Sequence, residues 1–319
     1  MKAAVVTSFD KAPEYGDFRE PVAGSGEVLV KVSAAALSRL VRGQASGQHY
    51  SSDGSLPFVP GVDGVGRLPD GARVYFAFPK APWGSMAELA AVQSALCVAL
   101  PDDLDDVTAA GAANPGMSSW AALKERARFV AGETVLINGA TGVSGRLAIQ
   151  IAKHLGAGVV IATGRNAASI EELPSLGADV TIPLDQAPDR LTEVFRKVIK
   201  ERGVNIILDY LWGTPAERLI AAIGGHGSPD GEPRIRYVQI GSVAGPTIAL
   251  PGATLRSSGL ELLGSGLGSI SNAALLKSIG EMMKAIVPAK LTIHTEPVPL
   301  TEVGSVWNST TTDRVVFTM

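Results

Sequence analysis

A glycine-rich turn in the middle of the chain has the residue types best suited to bind a ligand. Residues 135–145 read VLINGATGVSG, an apolar strand followed by a turn and a helical stretch. Small residues at this spacing let the chain turn sharply, let a pyrophosphate approach the backbone, and let helix pack against strand. The phosphates then bind the free N–H groups at the positive end of the helix. The pattern predicts a dinucleotide site that includes Ala140, Thr141, Gly142, Val143 and Gly145.

The end of the following strand indicates which dinucleotide is bound. An NAD enzyme carries Asp or Glu about 20 residues after the turn to bind the ribose hydroxyls, but this chain has Thr163, Gly164, Arg165 and Asn166 there. An acid would repel a 2′-phosphate, whereas a guanidinium can pair with it through two hydrogen bonds. The alternative is that Arg165 is only a solvated loop cation. The missing acid favours NADPH, with these four residues as contacts.

Two kinds of patterning indicate how these residues are positioned. The first third has short apolar segments between frequent Gly and Pro, which favours a β-rich, partly closed barrel: Ala3–Val6, Val28–Val32 and Val74–Ala77. From about residue 122, apolar strands alternate with helical stretches, which predicts a parallel, doubly wound sheet. The predicted strands are Glu133–Asn138, Gly158–Thr163, Val180–Pro183, Val204–Asp209, Tyr237–Gly241 and Leu260–Gly264. The predicted helices are Arg146–Leu155, Ser169–Leu176 and Leu191–Glu201.

The tail predicts a helix over Ala273–Ile286 and strands at Leu291–Thr295 and Arg314–Phe317. The expected architecture is therefore α/β, with a doubly wound Rossmann domain at 123–268 inserted into a β-rich domain formed by 1–122 and 269–319.

Composition narrows the function classes. Of 319 residues, 46% are apolar and 18% charged, so a sizeable core is expected. The net charge of −3, without basic clusters, argues against nucleic acid as a partner. A single cysteine, Cys97, excludes a disulfide framework, and its apolar neighbours predict a buried position. Without a signal-peptide stretch or an 18-residue apolar segment, the expectation is a cytoplasmic protein with no membrane partner.

The order of motifs resembles the medium-chain dehydrogenase/reductase superfamily over nearly the whole chain. The segments that carry the resemblance are GATGVSGRLAIQIAKHLGA, GVNIILDYLWG and YVQIGSVAG, after a β-rich first domain. The resemblance implies that this first domain is GroES-like, and that the chain forms a homodimer through the edge strand near Leu260–Gly264.

The zinc enzymes of this superfamily hold their metal with two cysteines and a histidine. Here the corresponding positions are Ser38, Val62 and Asn114, which do not supply thiolate or imidazole. The resemblance is therefore to the zinc-free quinone oxidoreductase branch, and no metal is expected. Without a Lewis acid, the chemistry that remains is hydride delivery to an acceptor that is already electrophilic, such as a quinone or an activated C=C bond.

The resemblance also suggests where a proton donor would lie. Tyr50, in the segment SGQHY at 46–50, stands where related enoyl thioester reductases carry a tyrosine that donates a proton, and His49 could hydrogen-bond a quinone oxygen. The alternative is an ordinary solvated loop.

Other residues are expected to line the cofactor. Ser38 replaces an asparagine of the branch, and Asn114 and Ser118 precede the domain junction. Gly241, Ser242 and Val243 follow one strand of the nucleotide domain, and Ser265 and Gly266 follow the last. Arg314 stands where the branch commonly has lysine; a surface salt bridge is the alternative.

Three functions remain open. The leading one is an NADPH-dependent, zinc-independent reductase of quinones or similar electrophilic carbonyl compounds. The second is a 2-enal or 2-enoyl thioester double-bond reductase. The third is an NADPH-binding protein with little turnover. The superfamily resembles lens crystallins, which bind the cofactor with only side activity, and other proteins of this fold that bind RNA.

Overall fold

The computed structural model describes residues 1–49, 52, 54–224, 231–311 and 313–319. It contains two compact units. One comprises Met1–Asn114 and Ile279–Met319, and the other comprises Pro115–Ser278. The sequence-based limits of 1–122, 123–268 and 269–319 stay a prediction.

The strands in chain order are β1 (Lys2–Val5), β2 (Glu14–Asp17), β3 (Glu27–Ala36), β4 (Asp63–Arg67), β5 (Arg73–Ala77), β6 (Leu89–Gln93), β7 (Cys97–Ala99), β8 (Thr134–Asn138), β9 (Val159–Gly164), β10 (Val180–Pro183), β11 (Val204–Asp209), β12 (Arg234–Gln239), β13 (Gly259–Gly264), β14 (Thr295–Pro299) and β15 (Arg314–Thr318).

The α-helices are α1 (Arg39–Ala45), α2 (Asp106–Ala121), α3 (Val143–His154), α4 (Ala167–Glu171), α5 (Pro188–Arg202), α6 (Gly213–Ile223), α7 (Gly252–Arg256), α8 (Asn272–Ile286) and α9 (Val303–Val306). A π-helical stretch, Ala122–Arg126, continues α2.

The β-rich unit is built on a mixed sheet in the order β14-β15-β3-β4-β5-β7, with β6 also paired to β3. The long strand β3 holds the unit together because it pairs antiparallel with β4, β6 and β15 along its length. Buried residues of this unit include Ala3, Met86, Trp307 and Phe317, so its core joins both ends of the chain.

The second unit has a six-stranded parallel sheet in the order β10-β9-β8-β11-β12-β13. All five residues of β8 are buried, as expected for a parallel strand covered on both faces. From β8 the chain runs outwards to β9 and β10, and it then returns to β11 on the other side of β8 and continues to β12 and β13. The order of the strands therefore reverses between β8 and β11. In open α/β sheets ligands bind at the carboxyl ends of the strands at this point. The predicted doubly wound α/β fold is confirmed.

The helices of this unit begin and end where local chemistry dictates. Pro188 occupies the first turn of α5, where its missing N–H costs nothing. The same helix ends at Gly203, which has φ +63° and donates its N–H to Ile199. A left-handed residue at this position favours glycine because it has no Cβ.

Four sequence-based expectations about the fold are wrong in detail. The strand predicted at Leu291–Thr295 lies at Thr295–Pro299, because the Leu291 N–H donates to Ile286 and closes α8 instead of joining a sheet. The strand predicted at Tyr237–Gly241 ends at Gln239, because the N–H groups of Ile240 and Gly241 both donate to Asp209.

The helix predicted at Ser169–Leu176 divides into α4 and a short 3₁₀ turn at Leu173–Leu176, since Pro174 has no N–H to continue the helix. Cys97, predicted to be buried, is half-buried at the start of β7. Within the described residues, no helix is both long and apolar enough to cross a membrane.

Candidate active site

The glycine turn between β8 and α3 is shaped by close backbone packing. A Cβ on Gly145 would lie 2.5 Å from the Ala140 Cα and 2.5 Å from the Gly139 carbonyl oxygen, so no larger residue fits. Gly139 has φ +89°, and a Cβ there would lie 2.8 Å from the Leu211 side chain. Gly142 differs, because nothing lies within 4 Å of its Cβ position. The turn is therefore closed on its inner side and open at Gly142.

The open side of the turn faces the start of α3, where backbone donors are available. Gly142 is the N-cap residue, and no side chain of the described residues caps the helix. The first intrahelical hydrogen bond runs from the Arg146 N–H to the Gly142 carbonyl. The N–H groups of the first turn have no intrahelical acceptor, and they lie at the positive end of the helix dipole. This arrangement suits an anion such as a pyrophosphate.

A buried polar network supports the turn from beneath. Asn138 donates from Nδ2 to Asp209 Oδ1 at 2.8 Å, and accepts at Oδ1 from the Thr163 hydroxyl at 2.8 Å. Thr163 in turn accepts from the Gly139 N–H at Oγ1 (3.0 Å) and from the Ala140 N–H at its carbonyl (2.7 Å). Thr163, predicted to contact the cofactor, is fully buried and its hydroxyl holds the turn.

Asp209 joins this network to the loop after β11. Its carboxylate accepts from the Tyr237 hydroxyl at 2.7 Å and from the N–H groups of Leu211 and Trp212 at 2.9 and 3.2 Å. Burial raises the pKa of Asp209, although these hydrogen bonds oppose the shift. The two backbone bonds hold Trp212 at φ +56°, an uncommon conformation for a tryptophan.

Sequence reasoning missed Asn138, Asp209 and Tyr237. A signal was present, because Asn138 and Asp209 are polar residues that end otherwise apolar strands of a parallel sheet. Such residues are brought together when the strands are neighbours, as β8 and β11 are.

The end of β9 presents the predicted phosphate-binding cation. Arg165 is exposed, and its side chain makes no hydrogen bond or ion pair with the residues that the structure describes. Asn166 instead has a local role: its Oδ1 accepts from the Ser169 N–H at 3.0 Å and caps α4. Gly164 is buried against the Thr141 side chain. Arg165 is therefore exposed to a ligand and unpaired among the described residues.

The remaining predicted contacts of this unit follow β12 and β13. Gly241 packs closely on the Tyr210 carbonyl, 2.7 Å from the position of a Cβ, while Ser242 and Val243 are exposed. The Ser265 N–H donates to the Gln239 carbonyl at 2.9 Å, and Gly266 is exposed. These residues lie beyond the carboxyl ends of their strands, as expected for a ligand-binding edge.

A serine–tyrosine pair lies elsewhere in the same unit. The Ser118 hydroxyl donates to the Pro115 carbonyl at 2.7 Å and lies 3.2 Å from the Tyr210 hydroxyl. Burial raises the pKa of Tyr210 to about 12, so this phenol stays protonated at neutral pH. Asn114, four residues earlier on α2, is half-buried.

In the β-rich unit the predicted contacts occupy different environments. Ser38 is buried at the start of α1, where its hydroxyl oxygen accepts from the Val41 N–H at 3.1 Å. His49 is half-buried, and burial lowers its pKa, so it is mainly neutral at pH 7. Tyr50, the predicted proton donor, lies outside the described residues.

Arg314 is half-buried at the start of β15. Burial lowers the pKa of Arg314 to about 10, although the nearby Asp63 carboxylate opposes this. Burial raises the pKa of Asp63 to about 6, against the effects of Arg314 and of the Tyr75 hydroxyl, which donates to Asp63 at 3.0 Å. The charges of Asp63 and Arg314 therefore act on each other, and the neutral Tyr75 donates a hydrogen bond to Asp63.

The superfamily's three zinc-ligand positions supply no metal-binding set here. The Ser38 oxygen is engaged in capping α1, Val62 has no donor atom, and Asn114 offers only an amide. Among the described residues, no group of three or more His, Cys, Asp or Glu side chains could hold a metal ion.

The chain is similar to known dehydrogenases and reductases. Residues 144–281 match the family model for zinc-binding dehydrogenases. A probable NADPH-dependent quinone reductase of Emericella nidulans is 29% identical, over 99% of both chains. The chloroplastic NADPH-dependent alkenal/one oxidoreductase of Arabidopsis thaliana is 32% identical over 62% of this chain and 59% of that enzyme.

Solved structures share the fold. A mycobacterial quinone oxidoreductase is 23% identical over the full length of both chains and shares the fold, with a TM-score of 0.85. The quinone oxidoreductase of Thermus thermophilus, solved alone and with NADPH, is 25% identical over both chains with a TM-score of 0.79. With the strand order and the glycine turn described above, these likenesses support the medium-chain dehydrogenase/reductase superfamily, in its quinone reductase branch.

Proposed function

We propose that the protein is an NADPH-dependent, metal-independent oxidoreductase that reduces quinones or similar electrophilic carbonyl compounds. The observation that carries the proposal is the open glycine turn at the start of α3 together with Arg165, which is exposed and unpaired among the described residues where an NAD enzyme has an acid. The named activities of the Emericella nidulans and Thermus thermophilus relatives support the same interpretation.

The residues present fit this cofactor. The free N–H groups at the start of α3 would bind the pyrophosphate, and the space at Gly142 would admit it. Arg165 would pair with the 2′-phosphate. Residues beyond β12 and β13 would contact the nicotinamide half: Gly241, Ser242, Val243, Ser265 and Gly266. Ser38, Asn114 and Ser118 remain predicted contacts. NADPH supplies the hydride.

The chain itself would bind and orient the acceptor and would help to protonate it. A quinone gains a proton after reduction, and Tyr50 is the proposed source besides solvent, while His49 is proposed to hydrogen-bond the quinone oxygen. Because the His49 pKa is lowered by burial, we expect the neutral imidazole to act through a hydrogen bond to the acceptor.

Steady-state oxidation of NADPH tests the proposal. The acceptors are benzoquinone and 9,10-phenanthrenequinone, with 2-hexenal and crotonyl-CoA as the contrasting class. We expect turnover of the quinones with NADPH preferred over NADH. Tight NADPH binding without turnover of any acceptor would instead support a binding protein.

A double-bond reductase is the second candidate, because the Arabidopsis thaliana relative is an alkenal/one oxidoreductase. It predicts faster turnover of 2-hexenal than of quinones and a sharp loss of rate in Tyr50→Phe. A quinone reductase should tolerate that change within about tenfold.

We also propose a cytoplasmic homodimer that takes a small-molecule substrate and binds no nucleic acid. β13 forms an outer edge of the parallel sheet and carries Leu262, which is 38% exposed. Pairing of β13 with its copy would satisfy the unpaired backbone groups of the edge. Light scattering should give twice the mass of the 33.0 kDa chain. A shifted RNA band in a gel-shift assay at physiological salt would contradict the nucleic-acid prediction.

A further inference from the structure

The loop after β11 has a backbone conformation that its own sequence disfavours. Trp212 has φ +56° and ψ −156°, close to a region of backbone space that only glycine occupies readily. For a bulky side chain this conformation is an outlier, and it persists only where the surrounding contacts enforce it. Contacts outside Trp212 itself must therefore hold the loop.

The side chain of Asp209 supplies these contacts. Its carboxylate is fully buried, and it accepts from the Leu211 N–H at 2.9 Å and from the Trp212 N–H, which lies 3.2 Å from both carboxylate oxygens. The Tyr237 hydroxyl, on β12, donates to Oδ2 at 2.7 Å and fixes the carboxylate from the next strand. Hydrogen bonds to an ionised acceptor are among the stronger ones in proteins. The bonds to the two N–H groups therefore offset the conformational cost at Trp212.

The loop held in this way packs closely on the segment that follows β12. The Ala244 N–H donates to the Leu211 carbonyl at 2.7 Å. Gly213 has φ +55°, and a Cβ there would lie 2.8 Å from the Ala244 carbonyl oxygen, so the two backbones are in contact. Residues 242–243, just before Ala244, are exposed beyond the carboxyl end of β12. The loop after β11 therefore sets the position of this exposed segment.

Asp209 also reaches the glycine turn. Its Oδ1 accepts from Asn138 Nδ2 at 2.8 Å, and Asn138 is joined through the Thr163 hydroxyl to the Gly139 N–H. One carboxylate thus holds both the support of the turn and the loop that carries residues 242–243. All of these residues lie within the unit Pro115–Ser278.

We propose that Asp209 is a positioning residue of the cofactor site, which holds residues 242–243 at a fixed offset from the glycine turn so that the nicotinamide is correctly oriented. This inference rests on the proposed function, in which the turn binds the pyrophosphate and residues 242–243 contact the nicotinamide half. It adds the side chain that fixes one part of the site relative to the other. Such preorganisation matters because hydride transfer requires the reacting atoms to be closely aligned. Asp209 is buried and acts through the loop, so it would not touch NADPH.

The binding test compares two ligands that share the phosphate-bearing half. Adenosine 2′,5′-bisphosphate lacks the nicotinamide, so the ratio of its Kd to the Kd of NADPH measures what the nicotinamide half contributes. Asp209→Ala should lower this ratio by roughly tenfold, because the hydrogen bonds that offset the strained backbone are lost. Asp209→Asn keeps an acceptor for the two N–H groups and can donate to the Tyr237 oxygen, so its ratio should stay within about threefold of wild type. If Asp209→Ala fails to fold, Tyr237→Phe, which frees only Oδ2, should lower the ratio by about threefold.

A rescue experiment tests the role of the strained backbone. Glycine adopts the conformation of Trp212 at little cost, so adding Trp212→Gly to Asp209→Ala should raise the ratio again by roughly threefold or more. Trp212→Ala is the matched control, because it removes the same ring contact with Tyr237 but keeps a Cβ. It should restore nothing. With NADPH saturating, kcat should follow the same order across these variants, since a loosened nicotinamide reaches the transfer geometry less often.

The outcomes separate this inference from the proposed function. If the wild type binds neither ligand, the proposed function fails, and this inference fails with it. If the wild type binds both ligands and the ratio is unchanged in Asp209→Ala and in Tyr237→Phe, only the positioning role is overturned. Equal recovery with glycine and with alanine at position 212 also overturns it, because the backbone conformation would then not matter. A lower Tm in Asp209→Ala with an unchanged ratio and kcat would show a purely structural role.

Discussion

The glycine turn of the parallel-sheet unit and the arginine cluster of the β-rich unit contrast in how their polar groups are satisfied. Beneath the turn, Asn138, Thr163 and Asp209 bond to one another and to the backbone. In the cluster, Arg42, Ser309 and Arg314 keep shielded donors without acceptors among the described residues. The first region is complete before a ligand arrives, and its backbone forms the binding surface. The second is not complete among the described residues.

This difference predicts that the two regions respond differently to substitution. A site made by backbone geometry should fail when a small residue is enlarged. A site made by charged side chains should change its specificity when a charge is removed, while the fold survives. The following predictions test this contrast, beginning with the largest expected effect.

Gly145→Ala should damage the turn itself. The new Cβ would lie 2.5 Å from backbone atoms of Gly139 and Ala140, so the helix must move away from the strand. We expect a loss of about 1–3 kcal/mol in the free energy of unfolding and at least roughly tenfold weaker NADPH binding, because the donors of α3 move. Urea denaturation and fluorescence titration measure the two effects. Gly142→Ala is the control, since its Cβ meets open space; it should leave stability within about 1 kcal/mol. Equal destabilisation by both changes would contradict the packing argument.

Arg165→Ala should weaken NADPH binding by about 1–3 kcal/mol and hardly affect NADH, because only NADPH carries the 2′-phosphate. Titration with both nucleotides measures the difference. Arg190→Ala removes an exposed arginine whose ion pair with Glu193 is local to α5, and should affect neither nucleotide. Equal losses for NADPH and NADH in Arg165→Ala would refute the phosphate role.

Asp63→Asn should remove a pH dependence of stability. The pKa of Asp63 is raised from 3.8 to about 6 in the folded state, so folding favours the protonated carboxyl. Its contribution to stability is complete below the unfolded pKa and is lost as the pH rises from about 4 to about 6. Urea denaturation at several pH values should therefore show a wild-type stability that falls, relative to Asp63→Asn, across this window. A difference that is constant with pH would show that Asp63 does not titrate there.

Treatment with a chelator should have the smallest effect on activity. The positions that bind zinc in the superfamily's metal enzymes are Ser38, Val62 and Asn114 here. Metal analysis should find well under one zinc per chain, and dialysis against a chelator should leave the rate of NADPH oxidation unchanged. Loss of activity that zinc restores would contradict the proposed metal-independent reaction.

The same contrast explains how much could be predicted from the sequence. The alternation of strands and helices and the spacing of Ala140, Gly142 and Gly145 predicted the α/β fold and the turn, because backbone geometry allows only small residues there. The predicted strands Val180–Pro183 and Val204–Asp209 agree with the structure. These features depend on local patterns, which a sequence displays directly.

Side-chain networks could not be predicted in this way. Asp209 and Asn138 are 71 positions apart, and Arg42 and Ser309 are 267 apart, so only the fold brings them together. The sequence left Arg314 open to a surface salt bridge or a site, because the Asp63 carboxylate whose charge acts on it lies on β4, far away in the chain. Ser38 and Asn166 are predicted to contact the cofactor from their positions in the chain, and in the structure their side chains cap α1 and α4. Short polar residues before a helix serve both purposes, and spacing does not distinguish them.

The most direct test of the central claim is equilibrium binding of NADPH and NADH to the wild-type protein. Fluorescence titration at physiological salt measures both dissociation constants in one experiment. The proposed cofactor site predicts a Kd for NADPH at least about tenfold lower than for NADH, because Arg165 contributes a charge-assisted pair to the 2′-phosphate alone. Equal affinities, or tighter binding of NADH, would contradict it.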